Sequence, residues 1–103
     1  MIVGEVVGTI VASRKEEALE GLKFQIIRIE DMDPESGGLK PTGHYLVAAD
    51  AVGAGHGETV LCSQGSSARL TDKTKDRPID AVIMGIIDTI EIEGEKIFEK
   101  YAG

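Results

Sequence analysis

Basic side chains, aromatic rings and thiols are all scarce in this chain. Eleven lysines and arginines stand against 18 acidic residues, for a formal charge of −7, and aromatic residues make up 4%. Nucleic acid is a poor partner for such a chain, because phosphates need a basic face and unpaired bases need rings to stack on. An anionic membrane surface is disfavoured by the same charge. No apolar run approaches the ~20 residues of a membrane span, and Met1-Ile2-Val3-Gly4-Glu5 lacks the basic start and cleavage site of a signal peptide. The expected location is therefore the cytosol. The single Cys62 cannot close an internal disulfide, which fits a reducing compartment and a buried thiol.

What remains is ordinary for a globular chain, with 42% apolar and 28% charged residues. The 103 residues have room for one domain, 1–103, burying roughly 60–65% of the unfolded surface. The 13 glycines are the anomaly. They concentrate in the bend Gly53-Ala54-Gly55-His56-Gly57-Glu58, set between β-type runs at His44 to Ala51 and Glu58 to Ser63. Glycine permits close chain approach at an entropic cost, so the bend is expected where backbones crowd.

Phosphate binding is the first chemistry to test there. Gly53 and Gly55 begin G-x-G-x-x-G, but Glu58 takes the last glycine position and a β-type run follows in place of a helix. No Gly-Lys-Ser/Thr follows either, so a P-loop fails as well. Asp31, Asp33 and Glu35 have calcium-loop spacing, yet Ser36 replaces the central glycine and Thr42 the closing glutamate. Gly65 and Ser67 start a nucleophile elbow that Arg69 interrupts. His44, His56 and Cys62 have no recognised zinc spacing. Asp50, Glu58, Asp80 and Asp88 show no diagnostic catalytic spacing and read as strand-end and surface groups. No catalytic residue, metal or cofactor is expected.

In chain order, Ile2 to Ser13 reads as a long coiled strand, with Gly4 and Gly8 marking a sharp bend or a close backbone approach. Arg14 to Gly21 reads as one helical turn or a solvated connection. A half-buried strand spans Lys23 to Glu30. The turn formers of Asp31 to Gly43 predict an exposed loop. The strands before and after the glycine bend are expected to form a wide hairpin. A short helical turn is expected at Gln64 to Leu70, then a charged link from Thr71 to Arg77. Ile79 to Ile90 should run through the core, and Glu91 to Tyr101 should form a terminal hairpin around Glu93-Gly94 or a short helix. Five to six short strands, little helix and glycine kinks predict an all-β fold, a small OB-like barrel with a C-terminal hairpin or tail.

Four blocks together resemble one family. Ile2-Val3-Gly4-Glu5-Val6-Val7-Gly8-Thr9-Ile10-Val11-Ala12-Ser13, Asp50 to Leu61 with the glycine bend, Gly65-Ser66-Ser67-Ala68-Arg69, and Ile79 to Asp88 appear in the order found in the EutN/CcmL family of bacterial microcompartment vertex proteins. The resemblance runs from Met1 to about Asp88. It implies an OB-like barrel that assembles as a ring, usually a pentamer, capping the five-fold corners of a polyhedral shell whose faces are hexameric proteins. It implies a structural role in the microcompartment shell and no enzymatic chemistry.

On that reading, Gly53 to Gly57, with Glu58 and Arg69, are candidate residues of a subunit interface or ring axis, where symmetry-related loops converge. The alternative is a tight turn serving one subunit's own geometry. A rival function class is an OB-type module for a small ligand or oligonucleotide, which predicts basic grooves and exposed rings. Phe24, Tyr45, Phe98 and Tyr101 are instead scattered through an acidic chain.

Overall fold

Alternating apolar residues build a sheet that curls until its first and last strands meet. A computed structural model describes residues 1–13, 15–35 and 37–101. Its strands are β1 (Ile2–Ile10), β2 (Phe24–Asp33), β3 (Gly38–Asp50), β4 (Thr59–Gln64), β5 (Ala81–Ile86), β6 (Thr89–Ile92) and β7 (Glu95–Glu99). The first five close a barrel in the order β1-β2-β3-β5-β4, and β6 and β7 form a separate two-stranded sheet. All pairings are antiparallel except β3 with β5, which is parallel over Ala49↔Val82 and Asp50↔Ile83. Closure leaves the barrel without free edges.

The interior is filled by Val6, Ile27, Ala48, Ala54, Val60, Cys62, Ala81 and Ile83. A second cluster, Leu22, Ala49, Ala68, Ile79 and Val82, lies under short 3-10 turns at Glu17–Leu19 and Gly65–Arg69. Glycines at 4 and 8 serve different purposes. A Cβ at Gly4 would stand 2.7 Å from the Arg28 carbonyl oxygen and collide with Ile27, so β1 and β2 approach closely there. Gly8 marks the bulge where the β1–β2 register shifts.

Several expectations need correction. The stretch from Asp31 to Gly43 is largely strand: β2 and β3 continue through Asp31↔Lys40 and Met32↔Leu39 to Asp33↔Gly38. Turn geometry is confined to the tip, where the Gly37 amide donates to the Pro34 carbonyl and the Glu35 amide to Asp33 Oδ1; Ser36 lies outside the described residues. The strands flanking the glycine bend do not pair as a hairpin, because β5 lies between β3 and β4. β1 ends at Ile10, short of Ser13. The apolar run from Ile79 splits at Ile87-Asp88 into β5 and β6.

The link Thr71 to Arg77 hides a fully buried Thr74, whose hydroxyl donates to the Ala68 carbonyl at 2.6 Å. Two expected elements stand as read: the turn at Gly65–Arg69 and the terminal hairpin, with positive φ at both Glu93 and Gly94 as a type I′ turn requires.

Candidate functional site

The glycine bend is held by a carboxylate that folds back onto its own backbone. β3 ends at Asp50, which is 6% exposed. Its Oδ1 accepts the amides of Val52 (3.0 Å) and Gly53 (2.9 Å), and its Oδ2 accepts that of Ala54 (2.9 Å). This is an Asx-type turn extended by one residue. Gln25 of β2 reaches in from the facing strand and donates to the Ala54 carbonyl at 3.0 Å. Ala54 itself is buried in the barrel core, while Gly53, His56 and Gly57 are exposed. Asp50 therefore ends a strand as expected but is a buried brace, not a surface group.

The second half of the bend is tied to the other end of the chain. The Gly55 amide donates to Glu58 Oε1 at 2.7 Å, and Lys100 Nζ meets Glu58 Oε2 at 2.7 Å. The Lys100 ammonium, and then the Gly55 amide, hold the Glu58 carboxyl below the usual range, while the Glu58 hydrogen bond raises the Lys100 value. The Lys100 amide also donates to the Asp88 carbonyl at 2.8 Å, so β7 is anchored where it leaves the hairpin. Glu58 thus joins loop and hairpin, and its partner lies 42 positions away, beyond any local pattern.

Arg69 closes its 3-10 turn on an exposed surface, anchored by the fully buried Ala68 beside it. Within the chain it does not join the glycine bend. The sequence reading missed Asp50 and Gln25 as the residues that shape the bend: alternation sets Gln25 against Phe24 and Ile26 on the polar side of its strand, whereas the structure buries Gln25 and leaves those two half-buried.

No described residues assemble into reaction chemistry. Ser67 Oγ donates to the Gln64 carbonyl at 2.7 Å and has no base. His44 and His56 are exposed whereas Cys62 is buried, and no cluster of metal-ligating side chains occurs among the described residues. Burial, with the Asp50 charge second, pushes the Cys62 thiol up to about 11.

Comparison with known proteins decides the family. The model for "Ethanolamine utilisation protein EutN/carboxysome" matches residues 1–88. The chain belongs to the EutN/CcmL family. The carboxysome shell vertex protein CcmL of Gloeobacter violaceus is 44% identical over 100 residues, covering 97% of this chain and 95% of that protein. Its solved structure superposes with a TM-score of 0.88 at 43% identity, covering 99% and 100% of the two chains. The pentameric microcompartment shell protein GrpN of Rhodospirillum rubrum gives a TM-score of 0.75 at 40% identity, covering 89% and 99%. These EutN/CcmL relatives are structural shell proteins and not enzymes. Among the described residues, no helix is long and apolar enough to cross a membrane.

Proposed function

We infer that this chain is a structural shell protein of a bacterial microcompartment, forming a pentamer that caps the five-fold vertices of a polyhedral shell. The observation that carries this reading is the match across nearly the whole chain to shell vertex proteins. A sheet of hexamers is flat and closes only at five-fold corners, so the protein acts by geometry. Ring subunits meet through heterologous contacts that close on themselves, and each copy presents two different surfaces. Five copies carry about −35 formal charge, only partly screened at a Debye length of roughly 8 Å, so apolar and specific polar contacts must outweigh the repulsion.

Hexameric shell proteins are the proposed neighbours of the ring. The exposed Gly53, His56 and Gly57 and the half-buried Gly55 of the bend, with the nearby Glu58 and with Arg69, are proposed to lie at the subunit junction or ring axis. Three experiments test these readings. Light scattering over a dilution series is expected to give a stable mass of five chains, and mixing with hexameric shell proteins is expected to convert open sheets into closed particles. Gly55→Val places a branched side chain beside Glu58 and is expected to weaken the ring while the monomer stays folded; a fully pentameric variant refutes that placement. Monomers at every concentration, and sheets that never close, refute the vertex role.

A further inference from the structure

Glu30 is a charged side chain matched on only one of its two oxygens. It lies in β2 with its side chain 5% exposed. Arg28 donates both Nε (3.2 Å) and Nη2 (3.1 Å) to Glu30 Oε1, and its Nη2 also faces Glu5 Oε2 at 3.5 Å. Glu30 Oε2 is buried and accepts no hydrogen bond from the described residues. A carboxylate oxygen in that position has given up water without gaining a donor, which is unfavourable unless a donor arrives from elsewhere.

Glu30 also lines a cleft of about 420 Å³ whose walls include Met1, Ile2, Ile29, Met32 and Leu61, with exposed Asp31 alongside. A mostly apolar cleft that carries two carboxylates, Glu30 and Asp31, suits the long stem and charged head of a cationic side chain. Met1 and Met32 are 80% and 52% exposed, unbranched and adaptable, so they can swing aside to admit one.

The complementary group is present on a different surface. Arg28 is held by Glu5 and Glu30, and Arg77 Nη1 donates to the Ala18 and Glu20 carbonyls. The Arg69 side chain has no hydrogen bond or ion pair among the described residues, and its turn is fixed by buried Ala68. We propose that Glu30 of each copy receives the Arg69 guanidinium of its neighbour, one pair at each junction of the ring. The proposal rests on the ring reading above. Each copy then offers one donor and one acceptor on different surfaces, as a closing heterologous contact needs. A guanidinium is the suited partner because it is planar, weakly hydrated and always charged.

The test is a double-mutant cycle on ring dissociation with Glu30→Gln, Arg69→Gln and the double variant, followed by light scattering on dilution. Each single change is expected to weaken junction affinity about thirtyfold or more, the lower end for truncating a buried charge pair, and the double variant is expected to be no weaker than either single. Effects that multiply, or a silent single variant in a stable ring, overturn the pair while leaving the vertex role intact. A wild-type chain that never forms rings overturns both.

A second measurement covers a Glu30→Gln chain that folds poorly. Arg69→Lys is treated with a carbodiimide, which joins a carboxylate to a lysine amine with loss of water. An isopeptide bond between positions 30 and 69 is expected to link isotopically distinct copies. Its absence, or its formation only within single chains, overturns the pair.

Discussion

Removing the Asp50 carboxylate should loosen the glycine bend and destabilise the barrel together. The carboxylate accepts three amides, but they are not equivalent: Val52 and Gly53 are exposed, so water replaces the acceptor there, whereas Ala54 is 1% exposed and its amide cannot be hydrated. A buried donor left without a partner costs about 1–3 kcal/mol, and a hydrogen bond to a charged group contributes about 1.5–3 kcal/mol. The two quantities describe the same Ala54 bond and do not add. With a smaller loss at the solvated pair, Asp50→Ala is expected to cost about 3 kcal/mol.

Asp50→Asn separates charge from shape. Its amide must point at one set of donors, either the Val52 and Gly53 amides or the Ala54 amide with Gln25 Nε2, so the cost stays near 2 kcal/mol. Urea unfolding at one fixed protomer concentration reads the difference, because assembly shifts apparent stability. Amide exchange at Ala54 should accelerate in both variants. An Asp50→Asn chain within about 0.5 kcal/mol of wild type, the ordinary range for surface substitutions, would refute the bracing role.

Three further outcomes follow from the same geometry. Because the folded Glu58 value is depressed, its contact with Lys100 stabilises above the ordinary value of 4.5 and is lost as pH falls through the lowered folded value. The raised Lys100 value works oppositely, stabilising fully below 10.5 and lost as pH rises through the folded value. Amide exchange in β6 and β7 should therefore be faster in Lys100→Met than in wild type at neutral pH, and the gap should close in acid. Cys62, with its thiol pushed up to about 11, should resist alkylation at pH 8 in the native protein and react at the rate of unfolding. Gly4→Ala forces a methyl against the Arg28 carbonyl and Ile27 and should cost about 1–3 kcal/mol in urea unfolding, as overpacking does.

Local patterns made much of the fold legible. Val, Ile and Thr content marked β1, alternation marked β2, the small residues of Gly65–Arg69 marked a turn, and Glu93-Gly94 marked the last hairpin. Long-range pairing was not legible. Nothing local to the two strands around the glycine bend says that β5, brought back by the link 65–80, will come between them. In Asp31 to Gly43, turn formers spread over a segment whose ends pair strand to strand, and pairing overrides propensity there. The family blocks drew attention to the bend, but its braces were hidden: Asp50 folds onto its own chain, and Lys100 arrives from beyond the matched residues.

The parallel seam between β3 and β5 spans only Ala49↔Val82 and Asp50↔Ile83, the shortest pairing in the barrel. β3 cannot gain that neighbour until the chain has been synthesised past β5, and β1 likewise waits for β4, pairing Ile2 with Cys62. Contacts this distant pay their loop-closure entropy before they return any stability, so closure should be the slow, late step of folding. Asp50 stands in both the seam and the bend, so the bend takes its final shape only as the cylinder shuts. Half-made chains then lack the finished loop, and assembly waits for complete ones.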